Sequence, residues 1–280
     1  MVRRLATVAV AVLTLTSILA VPASASVDAE RHSDRQYLAL GDSLAFGSQP
    51  VPVTPNQGYV YQLHAALRQH DPRLRLRNLG CPGETSTSML AGGRCDYGGA
   101  GSQVEAAVAF LRAHGRYTSL VTIDIGGNDV NACARGGTID EACVAAALRT
   151  LVRNLAEIVF RLRAAAPHVK VAGMTYYDPY LAAWLAGPAG QDLARRSVGI
   201  SQRVNGVLGA VYRIARVRVA DVSAAFATTD LSTQVPLPGV GPVPLAVARI
   251  CQWTWMCSRQ DIHANTAGYG VIAATFEAIL

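Results

Sequence analysis

Gln36-Tyr37-Leu38-Ala39-Leu40-Gly41-Asp42-Ser43-Leu44 is an apolar run that breaks off into small and polar residues, and its reading decides the fold. A short β-rich run stopped in this way is the pattern of a buried strand entering a tight turn. Four further runs of the same kind follow, at Leu74–Leu79, Leu120–Ile125, Val169–Met174 and Val217–Val222. Segments with helical spacing lie between them. Gly58–Gln69 sets Val60, Leu63, His64 and Leu67 along one face; Gln103–Arg112 and Ala142–Ala166 repeat the spacing; Gln191–Ile214 keeps it despite three glycines. Thr266–Leu280 closes the chain as a last helix capped by Asn265 or Thr266. Strand and helix alternating five times predict an α/β fold with a five-stranded parallel sheet covered on both sides.

In such sheets ligands bind beyond the carboxyl ends of the strands, where the strand order reverses. Ser43 follows the first strand, Gly83 the second and Asn128 the third, so topology alone draws these three to one rim. A serine hydroxyl is a weak nucleophile, and this position acquires chemistry only if a base takes its proton and donors hold the resulting oxyanion. Taken singly, Ser43 reads as a helix cap and Asn128 as a turn residue after Gly126-Gly127. Taken together they read as catalytic.

The N-terminus stands apart. Arg3 and Arg4 precede an apolar run from Leu5 to Ala20, followed by Pro22 and the small residues Ala23-Ser24-Ala25. This is the pattern of a signal peptide over residues 1–25, cut after Ala25 and leading to secretion; a retained anchor is disfavoured because the run is shorter than the roughly 20 residues a spanning helix needs. About 255 residues then remain, residues 26–280, enough for one domain that buries roughly 70–75% of its unfolded surface. The net charge of +6 falls to +4 without the two arginines, and Lys170 is the only lysine. Dispersed arginines argue against a nucleic-acid partner and allow at most transient contact with a lipid surface. A monomer with a small-molecule or lipid partner is expected.

Six cysteines fall into three close pairs, Cys81 with Cys95, Cys133 with Cys143 and Cys251 with Cys257, and secretion favours three disulfides bracketing three loops. The competing reading, zinc, lacks a close Cys and His cluster, so neither a metal nor a cofactor is expected. The stretch from Thr228 to Gln260 is rich in proline and glycine and reads as a long structureless loop carrying Trp253, Trp255 and Met256. These side chains either line an acyl pocket or lid, or fill the core beneath the loop.

Four blocks in order now carry a resemblance. Gly41-Asp42-Ser43-Leu44-Ala45-Phe46-Gly47, Asn78 to Ser86, Ile125-Gly126-Gly127-Asn128-Asp129 and Asp261-Ile262-His263-Ala264-Asn265 resemble the motifs of the SGNH hydrolases, the GDSL lipase and esterase family, including its secreted actinobacterial-type members. The resemblance implies a flavodoxin-like three-layer α/β/α fold and ester hydrolysis through an acyl-enzyme. It makes Ser43 the nucleophile, His263 the base, and the Ser43 and Gly83 N–H groups with the Asn128 amide the oxyanion donors. Of the six histidines only His263 sits just before the terminal helix beside a carboxylate. The family's acid stands three residues before the histidine, where this chain has Gln260; Asp261 stands two before. Either Asp261 completes a triad, or a main-chain carbonyl of Gln260 or Asp261 orients His263 in a dyad. Asp124, a carboxylate within the third strand, reads as a satisfied structural residue or as a support for the Asn128 loop. The expected function is a secreted lipase or esterase. The alternatives are a carbohydrate O-acetyl esterase and a non-catalytic protein that binds lipid or cell wall.

Overall fold

Successive side chains of a strand point to opposite faces, and the first strand, β1 (Gln36–Gly41), is apolar on both. Tyr37 and Ala39 enter one hydrophobic cluster and Leu38 and Leu40 another, so the sheet is buried on both sides and divides two cores. The computed structural model describes residues 34–280 apart from 51, 53, 136 and 137. Residues 34–280 form one unit, and both the signal peptide reading of 1–25 and the domain start at residue 26 lie outside the described residues.

In chain order β1 leads into α1 (Ser43–Phe46) and α2 (Tyr59–Leu67), then β2 (Arg75–Asn78), α3 (Ser86–Ala91), α4 (Gln103–His114), β3 (Thr118–Asp124) and α5 (Gly127–Asn131). A small hairpin, β4 (Ala134–Arg135) with β5 (Thr138–Ile139), precedes the long α6 (Glu141–Ala165) and β6 (Lys170–Met174). A 3-10 helix (Pro179–Ala186), α7 (Pro188–Ile214), β7 (Arg218–Ala220) and α8 (Val222–Ala225) follow. The chain ends with a hairpin of β8 (Gln234–Leu237) and β9 (Gly241–Pro244), then α9 (Leu245–Trp253), α10 (Met256–Arg259) and α11 (Thr266–Glu277).

The main sheet has the order β2-β1-β3-β6-β7, with every pairing parallel. Side chains of α2 and α11 pack on the face carrying Tyr37, and those of α4 and α6 on the face carrying Leu38, which gives the expected three layers. The order reverses between β1 and β3, so the crevice beyond their carboxyl ends is flanked by Ser43 on one side and Asn128 on the other.

The expectation of a structureless stretch over residues 228–260 is corrected. It forms the β8–β9 hairpin and two helices. Alternation of Leu237 and Val243 inward packs the hairpin on Val247 and Ala248 of α9 in a small core of its own. The prolines sit in a two-stranded ribbon, where missing N–H groups cost few ladder bonds.

Candidate active site

Ser43 is the first residue of α1 and is 92% hidden from solvent, with a relative exposure of 8%. It does not cap that helix; Asp42 does, its Oδ1 accepting the Leu44 N–H at 2.9 Å. Beneath the turn lies Asp124. Its buried carboxylate accepts the Tyr59 hydroxyl at 2.6 Å and the N–H groups of Ala45 at 3.2 Å and Asp42 at 3.3 Å. It therefore supports the Ser43 turn rather than the Asn128 loop. Gly41 is required there: its φ is 152°, and a Cβ would stand 2.2 Å from the Asp124 carboxylate. Burial pushes the Asp42 carboxyl above the usual range, and burial together with the neighbouring Asp42 charge pushes Asp124 well above it. Asp42 is eased by the Leu44 N–H and by the Tyr176 hydroxyl, which donates to its Oδ2 at 3.0 Å.

Gly83, at φ 76°, lies in a loop fastened to β1, the Cys81 N–H donating to the Gly41 carbonyl at 3.1 Å. Asn128 joins the same loop, one of its amide hydrogens going to the Glu84 carbonyl at 2.9 Å. A primary amide has two N–H bonds, which leaves the second for another acceptor. Asp129 ties the two blocks again by accepting from the Ser86 N–H at 2.9 Å and from the Ser86 hydroxyl. The structure thus brings Ser43, Gly83 and Asn128 to one rim.

His263 arrives from the other end of the chain. Its Nδ1 is 2.7 Å from Asp261 Oδ1, and the same oxygen accepts the His263 N–H at 2.9 Å. The carboxylate, not a main-chain carbonyl, is the partner of Nδ1. With Nδ1–H donating, the neutral ring keeps a lone pair on Nε2. Gln260 makes the two-residue spacing workable: it closes α10 in the left-handed region, at φ 54°, and turns the chain back. Antiparallel bonds from the Trp255 N–H to the His263 carbonyl, at 3.0 Å, and from the Asn265 N–H to the Trp253 carbonyl, at 2.9 Å, hold the loop. The Tyr177 hydroxyl donates to the Ile262 carbonyl at 2.8 Å. Two ties close this segment on the one after Ser43: Tyr269 hydroxyl to Ser48 carbonyl at 2.8 Å, and Trp255 Nε1 to Gln49 at 3.1 Å.

The tryptophans are therefore scaffold. Trp253 meets the Phe226 ring edge-on at 5.1 Å, and with Met256 it packs on the core. Cys251–Cys257 clasps α9 to α10 around them, while Cys81–Cys95 and Cys133–Cys143 close the other two loops. Of the remaining histidines, His64 is engaged by the Leu74 carbonyl at 2.9 Å, and His32 lies outside the described residues. Sequence reasoning did not find Tyr59, Tyr176, Tyr177 or Gln103, whose side chains reach the site across 62 to 134 residues of chain. Such contacts leave no local spacing to read.

On the face of α5 carrying Gly127 and Val130 lies a mainly apolar cavity of about 290 Å³, also walled by Ile139, Tyr176, Tyr180 and Val204; Ser43, Gly83, Asn128 and His263 are not among its lining residues. Its lining contains no residue of 228–260, so this pocket is not the one expected from that stretch.

Residues 39–271 match the profile of the GDSL-like lipase/acylhydrolase family. No curated protein sequence matches the chain. Among solved structures, a putative GDSL-like lipase from Parabacteroides merdae aligns with a TM-score of 0.56 at 15% identity, covering 88% of this chain and 95% of that one. An extracellular lipase from Streptomyces rimosus aligns at 0.55 and 18% identity, covering 88% and 100%. A lipase from a goat rumen metagenome aligns at 0.54 and 16%, covering 87% and 96%. At these identities the likeness is one of fold.

Proposed function

This chain belongs to the GDSL-like lipase/acylhydrolase family, and from that premise we propose that it is a secreted serine esterase or lipase, working as a monomer without metal or cofactor on carboxylic esters with an apolar acyl group. Ser43 Oγ attacks the ester carbonyl carbon while His263 Nε2 takes its proton. The N–H groups of Ser43 and Gly83 and the free amide hydrogen of Asn128 receive the oxyanion. His263 then returns the proton to the leaving alcohol, and a water attacks the acyl-enzyme by the same route in reverse. Asp261 holds the ring in the required tautomer and favours its charged form. The observation that carries this reading is the 2.7 Å contact between Asp261 Oδ1 and Nδ1, in a loop hydrogen-bonded to the segment that follows Ser43. The apolar cavity walled by Gly127, the chain neighbour of Asn128, supports an acyl chain over a sugar acetate, because it offers more room and less polarity than an acetyl group needs.

The test is hydrolysis of p-nitrophenyl esters from acetate to decanoate by the protein and by Ser43→Ala. The expected result is a Ser43-dependent rate with its maximum beyond acetate. Equal background from both proteins would favour a binding protein instead, and a maximum at acetate would favour the O-acetyl esterase.

A further inference from the structure

The Cys81–Cys95 disulfide brings a second segment of chain against the Gly83 loop. Arg94 donates to the Gly83 carbonyl from both Nε, at 3.0 Å, and Nη2, at 2.8 Å. The planar guanidinium lies flat on that residue, so that a Cβ at position 83 would stand 2.8 Å from Nη2. Two residues beyond the disulfide, the Tyr97 hydroxyl donates to Glu84 Oε2 at 2.8 Å, and Gln103 Nε2 donates to the same oxygen at 3.1 Å. Gln103 in turn grips both polar groups of Gly41, accepting its N–H at 2.7 Å and donating to its carbonyl at 3.0 Å. The Glu84 carbonyl is what the Asn128 amide holds. Residues 83–84 are therefore tethered to Cys81, Gln103 and Asn128, and also to Arg94 and Tyr97, which flank Cys95.

We propose that Arg94 and Tyr97 are positioning residues for the oxyanion site, holding the Gly83–Glu84 segment so that the Gly83 N–H and the Asn128 amide converge on one point. The inference rests on the reading of Gly83 and Asn128 as oxyanion donors. Arg94 is exposed, so its hydrogen bonds bury no apolar surface and its removal leaves the two cores untouched. What they do is restrict a loop whose glycine, at positive φ, has more conformational freedom than any other residue would.

The experiment compares Arg94→Ala, Arg94→Lys and Tyr97→Phe with the parent on p-nitrophenyl butyrate, measuring kcat and KM separately, the thermal midpoint, and inhibition by an alkyl trifluoromethyl ketone, which forms an oxyanion adduct with a serine nucleophile. The expected result for Arg94→Ala is a kcat lower by about 10- to 30-fold with KM within about twofold, and ketone affinity weakened by a similar factor; the full loss of one donor costs about 10²–10³. The thermal midpoint stays put, and Arg94→Lys recovers most of the loss because one ammonium can still reach the carbonyl. Tyr97→Phe, with Gln103 still on Glu84, loses less. Parent-like kcat and ketone affinity in Arg94→Ala overturns the proposal, as does a loss confined to KM or one that tracks a fallen midpoint. Ser43→Ala is run alongside: if it matches the parent rate, the esterase reading itself has failed, whereas an inactive Ser43→Ala beside an unaffected Arg94→Ala removes only this inference.

Discussion

Ser43 gains its proposed reactivity from neighbours that are each specified to a single atom. Asp261 Oδ1 accepts from both the backbone N–H and the ring Nδ1 of His263, so one oxygen sets loop and tautomer together. Asp261→Asn preserves size but presents a group that no longer favours the imidazolium. Its kcat is expected to fall by about 10³–10⁴ with the fold intact, the loss seen when a triad carboxylate becomes an amide; steady-state kinetics on one short ester checks this, and a near-parent kcat removes Asp261 from the triad. Asp124 answers differently to the same kind of change. Because its carboxyl is pushed well above the usual range by burial and by Asp42, an amide resembles its neutral form. Asp124→Asn should stay within a fewfold of parent activity, its oxygen accepting the Asp42 and Ala45 N–H groups and its nitrogen donating to the Tyr59 oxygen. Asp124→Ala leaves the Ala45 N–H and the Tyr59 hydroxyl unpaired, while the Asp42 N–H keeps the main-chain carbonyl of residue 124 at 3.1 Å, and should cost about 3 kcal/mol or more, read by urea unfolding, with activity falling as the turn loosens.

At the scale of elements, the 3-10 helix Pro179–Ala186 is started by Asp178, whose Oδ1 accepts the Tyr180 N–H at 2.9 Å. Burial raises the Asp178 carboxyl to about 6, opposed by the Ser197 hydroxyl and the Tyr180 N–H. The folded chain therefore holds a proton there that the unfolded chain has already released above its ordinary value of 3.8. Stability from this group is highest at low pH and declines as pH rises from about 4 to about 6, by about 3 kcal/mol in all. Asp178→Asn removes that slope while still accepting from Tyr180. Urea midpoints of parent and variant at pH 4 and pH 7 should show the variant gaining relative to the parent at pH 7; an unchanged difference would mean that the carboxyl titrates normally. The His263 loop is another case of one element borrowing order from others, since α9, α10 and the Cys251–Cys257 bond form its frame. Replacing both cysteines by serine releases a short loop, worth about 2 kcal/mol on chain entropy. Activity should fall more steeply on warming than for the parent, with the far-UV signal unchanged at the temperature where the rate is already lost.

Across the whole molecule, the alternation of strands and helices, the two-sided burial of β1 and the four blocks were all readable from the sequence. Strand ends moved by only one or two residues: Leu74–Leu79 became Arg75–Asn78, and Leu120–Ile125 became Thr118–Asp124. These features repeat at short range, with periods of two and 3.6 residues, so a linear reading captures them. The stretch 228–260 escaped for the opposite reason. Its prolines and glycines are loop formers locally, and only packing of Leu237 and Val243 on α9 makes a hairpin of them. The sequence by itself therefore determined the fold, the sequential cysteine pairs and the identity of Ser43, Gly83, Asn128, Asp261 and His263 as candidates. The tertiary structure decided that a carboxylate rather than a carbonyl meets His263, that Asp124 supports the Ser43 turn, and that Trp253 builds a scaffold while the apolar cavity lies along the Gly127 and Val130 face of α5. Those outcomes depend on hydrogen bonds and packing between residues far apart in the chain, where spacing carries no information about distance.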